Sequence, residues 1–169
     1  MKKILFLVAA LLVACGDFEL SEEDLQKSEN QVLNIDNALT IKLLNDSARL
    51  GDTVTVVGYM VGYVKTTNMK SATFDLPTDK INSNVLLADA DTVKIAAQCA
   101  PLALEKGEVR DSLNFYDNPQ LLGQKIAVRG KVESYFGAKG IKKIIQMRWL
   151  ATDSVKNYQN LEQPNINFH

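Results

Sequence analysis

Histidine is almost absent from this 169-residue chain: the single one, His169, is the last residue. That excludes an internal Ser-His-Asp or Cys-His nucleophilic site and any histidine-based metal cluster. Cysteine is nearly as scarce. Cys15 and Cys99 are the only two, and they form no CxxC pair. A glycine-rich phosphate loop of Walker type is missing as well. Carboxylates are dispersed. Their densest set, Asp75, Asp79, Asp89 and Asp91, falls at turn positions, where Asp bonds nearby backbone, and it lacks the spacing of a calcium loop. The chain therefore reads as a non-enzyme with no cofactor and no metal.

A basic excess is also lacking. The formal net charge is −1, with 19 basic and 20 acidic residues. Without Lys2 and Lys3 it becomes about −3, opposite to the balance of a dedicated nucleic-acid binder. Hydrophobic residues make up 46% and charged residues 23%, the proportions of one ordinary globular domain.

What is present begins at the N-terminus. Lys2 and Lys3 precede an uncharged apolar run, Ile4 to Ala14, that is too short to span a bilayer as a helix. It ends in Leu12-Val13-Ala14-Cys15, which resembles a lipobox, the motif in which a cysteine thiol takes diacylglycerol before the signal is cut away. Residues 1–14 are expected to be a lipoprotein signal peptide and Cys15 the lipidated first residue of an exported protein. Acyl chains, such as palmitate, contribute about 0.8 kcal/mol per buried methylene, so two or three of them hold a protein on a membrane. With Cys15 lipidated, Cys99 has no disulfide partner. It reads as a small buried hydrophobe rather than a reactive thiol.

Residues 15–34 are polar and acidic, and read as a tether. Asp17 and Glu19 resemble, in part, the acidic export signals of surface lipoproteins in Bacteroidetes. The expected location is the cell envelope, at the outer membrane, on either its periplasmic or its surface side.

The domain is expected over 35–152, with a polar tail from 153 to 169. A short helix or turn falls in 35–50. Gly51-Asp52 turns into a strand from Thr53 to Val64, rich in Thr, Val and Tyr and interrupted by Gly58 and Gly62. A polar loop covers 65–82. Further strands are expected at Asn84 to Asp89 and Thr92 to Cys99, a short helix at Glu108 to Asn114, and strands at Lys125 to Phe136 and Lys142 to Leu150. Five strands, a helix between the third and fourth, and glycine bends in the first and fourth give a mainly β fold. The expected form is a five-stranded, OB-fold-like Greek-key barrel.

Val57-Gly-Tyr-Met-Val-Gly62, Asn84-Val-Leu-Leu-Ala-Asp89, Cys99-Ala-Pro101, Asp117-Asn-Pro119 and Tyr135-Phe-Gly137, in that order, resemble the uncharacterised OB-fold domains of secreted Bacteroidetes lipoproteins. The resemblance covers roughly residues 36–150. It implies a fold and an envelope location, and no catalytic residue.

OB barrels bind ligands across strands two and three and between the loops after strands one and four. Lys65, Lys70, Lys80, Lys139, Lys142 and Lys143 lie in or near those loops, and Tyr59, Tyr63, Tyr135 and Phe136 are candidates for stacking. The competing reading makes the lysines solvated loop residues and the aromatics core. Two functions follow. One is a non-enzymatic binding or assembly module for a glycan, peptide or protein partner. The other is an OB-fold nucleic-acid binder displayed outside the cytoplasm, against which the acidic balance argues. Five Asp-Ser/Thr-apolar tripeptides also mark Ser47, Thr53, Thr92, Ser112 and Ser154 as candidate O-glycosylation sites by the same resemblance.

Overall fold

A computed structural model of the chain describes residues 33–151 and the backbone of 165–167. The signal segment, Cys15, nearly all of the tether and Ser154 lie outside the described residues. Among the described residues no helix is long and apolar enough to cross a membrane.

The molecule is mainly β. The first strand, β1 (Thr53–Val64), organises the rest. Its first half pairs antiparallel with β5 (Lys125–Tyr135), from Thr53↔Lys131 to Tyr59↔Lys125. Its second half turns to β3 (Asn84–Ala88), through Tyr59↔Ala88, Met60↔Leu87 and, after a bulge, Gly62↔Leu86. A two-residue strand, β2 (Ala72–Thr73), lies on the end of β1 at Tyr63 and Val64. β3 pairs antiparallel with β4 (Ala100–Ala103). β4 touches β6 (Ala138–Leu150) through one parallel bridge, Leu102↔Ile141. β6 returns along β5 in a ten-pair antiparallel ladder. The order β1-β3-β4-β6-β5 thus closes on β1. A long strand shared between two partners has to coil, and the bulge after Met60 supplies extra twist.

Glycine permits two of the close approaches this requires. A Cβ on Gly62 would sit 2.2 Å from the Thr73 carbonyl oxygen, and one on Gly130 2.8 Å from the Lys142 carbonyl oxygen. β5 and β6 are joined by Phe136-Gly137, both at positive φ (53° and 82°), the geometry of a two-residue type I′ hairpin.

Two short helices flank the ring. α1 (Ile41–Ser47) buries Ile41 and Leu44 in the core. Thr40 caps it by accepting from the Leu43 N–H at 3.2 Å, and the Asp89 carboxylate accepts from the N–H groups of Ile41 and Lys42. α2 (Glu108–Leu113) lies between β4 and β5 in the chain and buries Val109 and Leu113. Arg110 donates from Nε and Nη2 to the Leu104 carbonyl, at 3.0 and 2.9 Å, which ties α2 to the end of β4.

Sequence pattern and structure part company at Thr92–Cys99. That segment is not a strand: it is a turn followed by a single 3-10 turn, Ala96–Gln98, and the third long strand is instead Ala100–Ala103. Ala-Ala-Gln is a poor β sequence, and β4 already occupies the outer edge of β3. In the segment expected to be a polar tail, Asn165–Asn167 forms β7 and pairs antiparallel with Gln146, Met147 and Arg148 of β6.

The candidate ligand groove

Two apolar clusters form around the ring. The larger fills its interior, with Val56, Met60, Leu87, Leu102, Ile126, Val128 and Met147 fully buried. The second lies on the outer side of β1 and β3. Val61, Val64, Leu86, Ala88 and Cys99 pack there beneath Met69, Phe74, Val93 and Phe136. This outer face of β1 and β3 is covered. Its cover comes from the connection 65–74, from the segment 90–99 and from the β5–β6 hairpin.

The cover is built from local hydrogen bonds. The connection folds onto itself: Lys65 N–H donates to the Ser71 carbonyl, the Ser71 hydroxyl donates to the Asn68 carbonyl, and Asn68 Oδ1 accepts from the Lys70 N–H. The Met69 N–H donates to the Phe136 carbonyl at 3.1 Å, which joins the connection to the hairpin. Buried Asn84 continues the β1–β3 ladder past the bulge. Its Oδ1 accepts from Val64 N–H at 2.7 Å, and its Nδ2 donates to the Val64 carbonyl at 3.1 Å.

Where these segments fail to meet, two hollows remain. The first, about 450 Å³, lies among Asn68, Lys70, Ala97, Phe136, Lys139 and, on α1, Asn45. The second, about 300 Å³, shares Asn45 and Ala97 and continues past Gln98 to Asp46 and Asp89. Both are in the size range of small-ligand sites.

The structure distributes the candidate ligand residues unevenly. Lys70, Phe136 and Lys139 line the first hollow. The Lys139 Nζ donates to the Asn45 carbonyl at 2.8 Å, which fixes its stem across the groove. Lys65 is exposed on the connection. Tyr63 is a core residue: it is 2% exposed, so its ring is not offered for stacking. Tyr59 lies under Lys125, whose Nζ is 5.1 Å from the ring centroid. Tyr135 stacks on Phe136 with centroids 4.0 Å apart, and its hydroxyl donates to the Ser83 carbonyl. Lys142 sits 5.0 Å over the Tyr135 ring and 3.5 Å from Glu133, outside the groove. Burial pushes the hydroxyl pKa of both Tyr63 and Tyr135 up. It pushes the Cys99 thiol to about 11, and that thiol donates to the Ile95 carbonyl at 3.4 Å.

The residues that pattern reading missed are Asn45, Asn68, Ala97 and Gln98. They come from a helix, a loop and a 3-10 turn, and no spacing in the sequence connects them. The glycosylation candidates Ser47, Thr53 and Thr92 are exposed, and Ser112 is half-buried on α2. Among the described residues no group of three or more His, Cys, Asp or Glu is placed to hold a metal ion.

The domain so defined is a closed, mainly β ring with one outer face capped and grooved. Residues 33–150 match the family described as "Domain of unknown function (DUF6359)", and the chain belongs to that family. It is also 32% identical, over 112 residues, to a protein named "Endonuclease YhcR" from Bacillus subtilis (strain 168). The similarity covers 66% of this chain and 9% of that protein's length. No solved structure matches the chain.

Proposed function

We propose that the chain is a lipid-anchored protein of the bacterial envelope, at the outer membrane, whose domain is a non-enzymatic binding or assembly module. The β-ring is then an OB-type barrel. Three features support that fold: the ring order, the antiparallel β1–β5 closure, and the single parallel bridge between β4 and β6 with α2 before β5. The envelope reading rests on Lys2, Lys3, the apolar run and Cys15. Cys15→Ala is expected to release the protein from the membrane fraction. Detergent-phase partitioning unchanged by the substitution would remove the anchor.

The binding reading is carried by the capped face. An open platform with free aromatic rings suits a polymer strand. Here that face is packed, and what is left open is a pair of hollows of small-ligand size. The ligand in this reading is a glycan, a peptide or a segment of an envelope partner.

One observation favours a second reading. The similarity to a segment of a protein named an endonuclease fits a nucleic-acid-binding module that travels between larger proteins. A single-stranded oligothymidylate titration of the full chain at several salt concentrations separates the two. On the first reading binding is no tighter than about 10⁻⁵ M at physiological salt, in the non-specific range. Sub-micromolar affinity that collapses as salt rises would reverse the order of the two readings.

A further inference from the structure

We propose that the two hollows form one subsited groove for an acidic saccharide, with the sugar carboxylate at the Lys70–Lys139 end. This rests on the binding-module reading and adds the ligand's class.

Charge is the first argument. No carboxylate lines the first hollow, although acidic residues outnumber basic ones in the chain. Lys70 is exposed and has no ion pair among the described residues. Lys139 uses one N–H on the Asn45 carbonyl and keeps two donors for a ligand. The second hollow is lined by one lysine and two carboxylates. Lys42 pairs with Asp46, and Asp89 is held by two backbone N–H groups of α1. Among the described lining residues the positive charge therefore lies at the Lys70–Lys139 end, and Asp89 leaves a negative charge at the other. An elongated ligand with a carboxylate at one end and an uncharged remainder complements that positive end.

The uncharged remainder is the second argument. Asn45 and Gln98 line the hollows and their carboxamides have no hydrogen-bond partner among the described residues, and Asn68 keeps its Nδ2 donors after Oδ1 accepts from the Lys70 N–H. Carboxamides donate and accept at once, as adjacent sugar hydroxyls require. Ala97, small and apolar, lines both hollows, and Phe136 lines the first. Phe136 holds a positive φ of 53°, a costly conformation for a bulky residue, and in it the ring both covers the outer cluster and borders the groove.

The competing ligand chemistries fit less well. A nucleic-acid strand needs repeated phosphate contacts and free ring faces. Here Tyr135 and Phe136 stack on each other and Tyr59 is under Lys125. A peptide added as a strand needs an open backbone edge, whereas these hollows are bordered by a helix, a 3-10 turn and a hairpin tip.

The test is isothermal titration of the full chain with three probes: a hexuronate-containing disaccharide, the same disaccharide with its carboxyl reduced to the alcohol, and oligothymidylate. The uronate form is expected to bind at least tenfold more tightly than the reduced form. Lys70→Gln, an exposed substitution, is expected to lose most of that preference. Equal affinity for the two disaccharides, or no binding of either, overturns the acidic-saccharide assignment and leaves the binding-module reading to its own test. Oligothymidylate binding that is tight and lost in Lys70→Gln overturns both.

Discussion

The apolar layer inside the ring and the one outside it differ in origin more than in depth. The interior is lined by side chains that alternate along long strands, as at Val128 and Val132 against exposed Arg129 on β5. The outer layer forms only because connections fold down on it. Val61 to Val64 and all of β3 are buried on both faces, so alternation vanishes there. The inner layer is a property of strand pairing. The outer one is a property of loops that happen to carry Met69, Phe74, Val93 and Phe136, and it is the loops that create the groove.

The comparison breaks most sharply on truncation of equivalent leucines. Leu102 lies in the inner layer and Leu86 in the outer one, and both are fully buried. Each Leu→Ala change is expected to cost about 2–5 kcal/mol in chemical denaturation, because a cavity is left in either case. A loss below about 1 kcal/mol for Leu86→Ala alone would mean that the loop cover collapses or opens freely, and the outer layer would cease to count as core.

A smaller effect is expected from glycine substitutions, and it sharpens the same contrast. Gly62→Val places a Cβ 2.2 Å from the Thr73 carbonyl, at the point where β2 of the cover meets β1. Gly130→Val meets Ile141 at 2.6 Å and the Lys142 carbonyl at 2.8 Å in the β5–β6 ladder. Gly58→Val is 3.1 Å from both the Ala88 carbonyl and the movable Ile41 side chain. The first two are expected to cost about 1–3 kcal/mol and Gly58 less, because its Cβ comes no closer than 3.1 Å to backbone, against 2.2 and 2.8 Å at the other two. If Gly62→Val lowers the denaturation midpoint no more than Gly58→Val does, the cover can shift away from the ring.

The contrast also explains what could be read in advance. β1 was legible to the residue, because a Thr, Val and Tyr run after Gly51-Asp52 has only one reading. α2 and β5 were legible within a residue, because period and flanking turns agree. Thr92–Cys99 misled, because Thr-Val-Lys-Ile alternates like a strand, yet Val93 is used to cover the outer cluster and Ala96–Gln98 turns. The start of β6 was missed by four residues, since Gly137-Ala-Lys-Gly140 has the composition of a loop while only Phe136 and Gly137 make the turn. Of the groove, the lysines and Phe136 could be found from fold geometry. Asn45 and Gln98 could not, because carboxamides leave no periodic signal and reach the groove from elements remote in sequence.

The subtlest expectation concerns Cys99, which lies at the base of the outer layer. Burial raises its thiol from 9.0 to about 11. The folded protein therefore holds the thiol proton more tightly than the unfolded chain does. That contributes stability fully present below pH 9 and lost as pH rises from about 9 to about 11. Tyr63 and Tyr135, also raised, add to the loss at the alkaline end, so the contribution of Cys99 is the difference between parent and variant profiles. In a Cys15→Ala background, Cys99→Ala is expected to flatten the fall in stability between pH 9 and 11. The same thiol in the parent should react about a hundredfold more slowly with a soluble thiol reagent at pH 8 than it does in denaturant, from its lowered thiolate fraction alone. Fast labelling of the folded protein, together with an unchanged alkaline profile in Cys99→Ala, would show the outer layer to be open to water, and the distinction between a capped face and an exposed one would be lost.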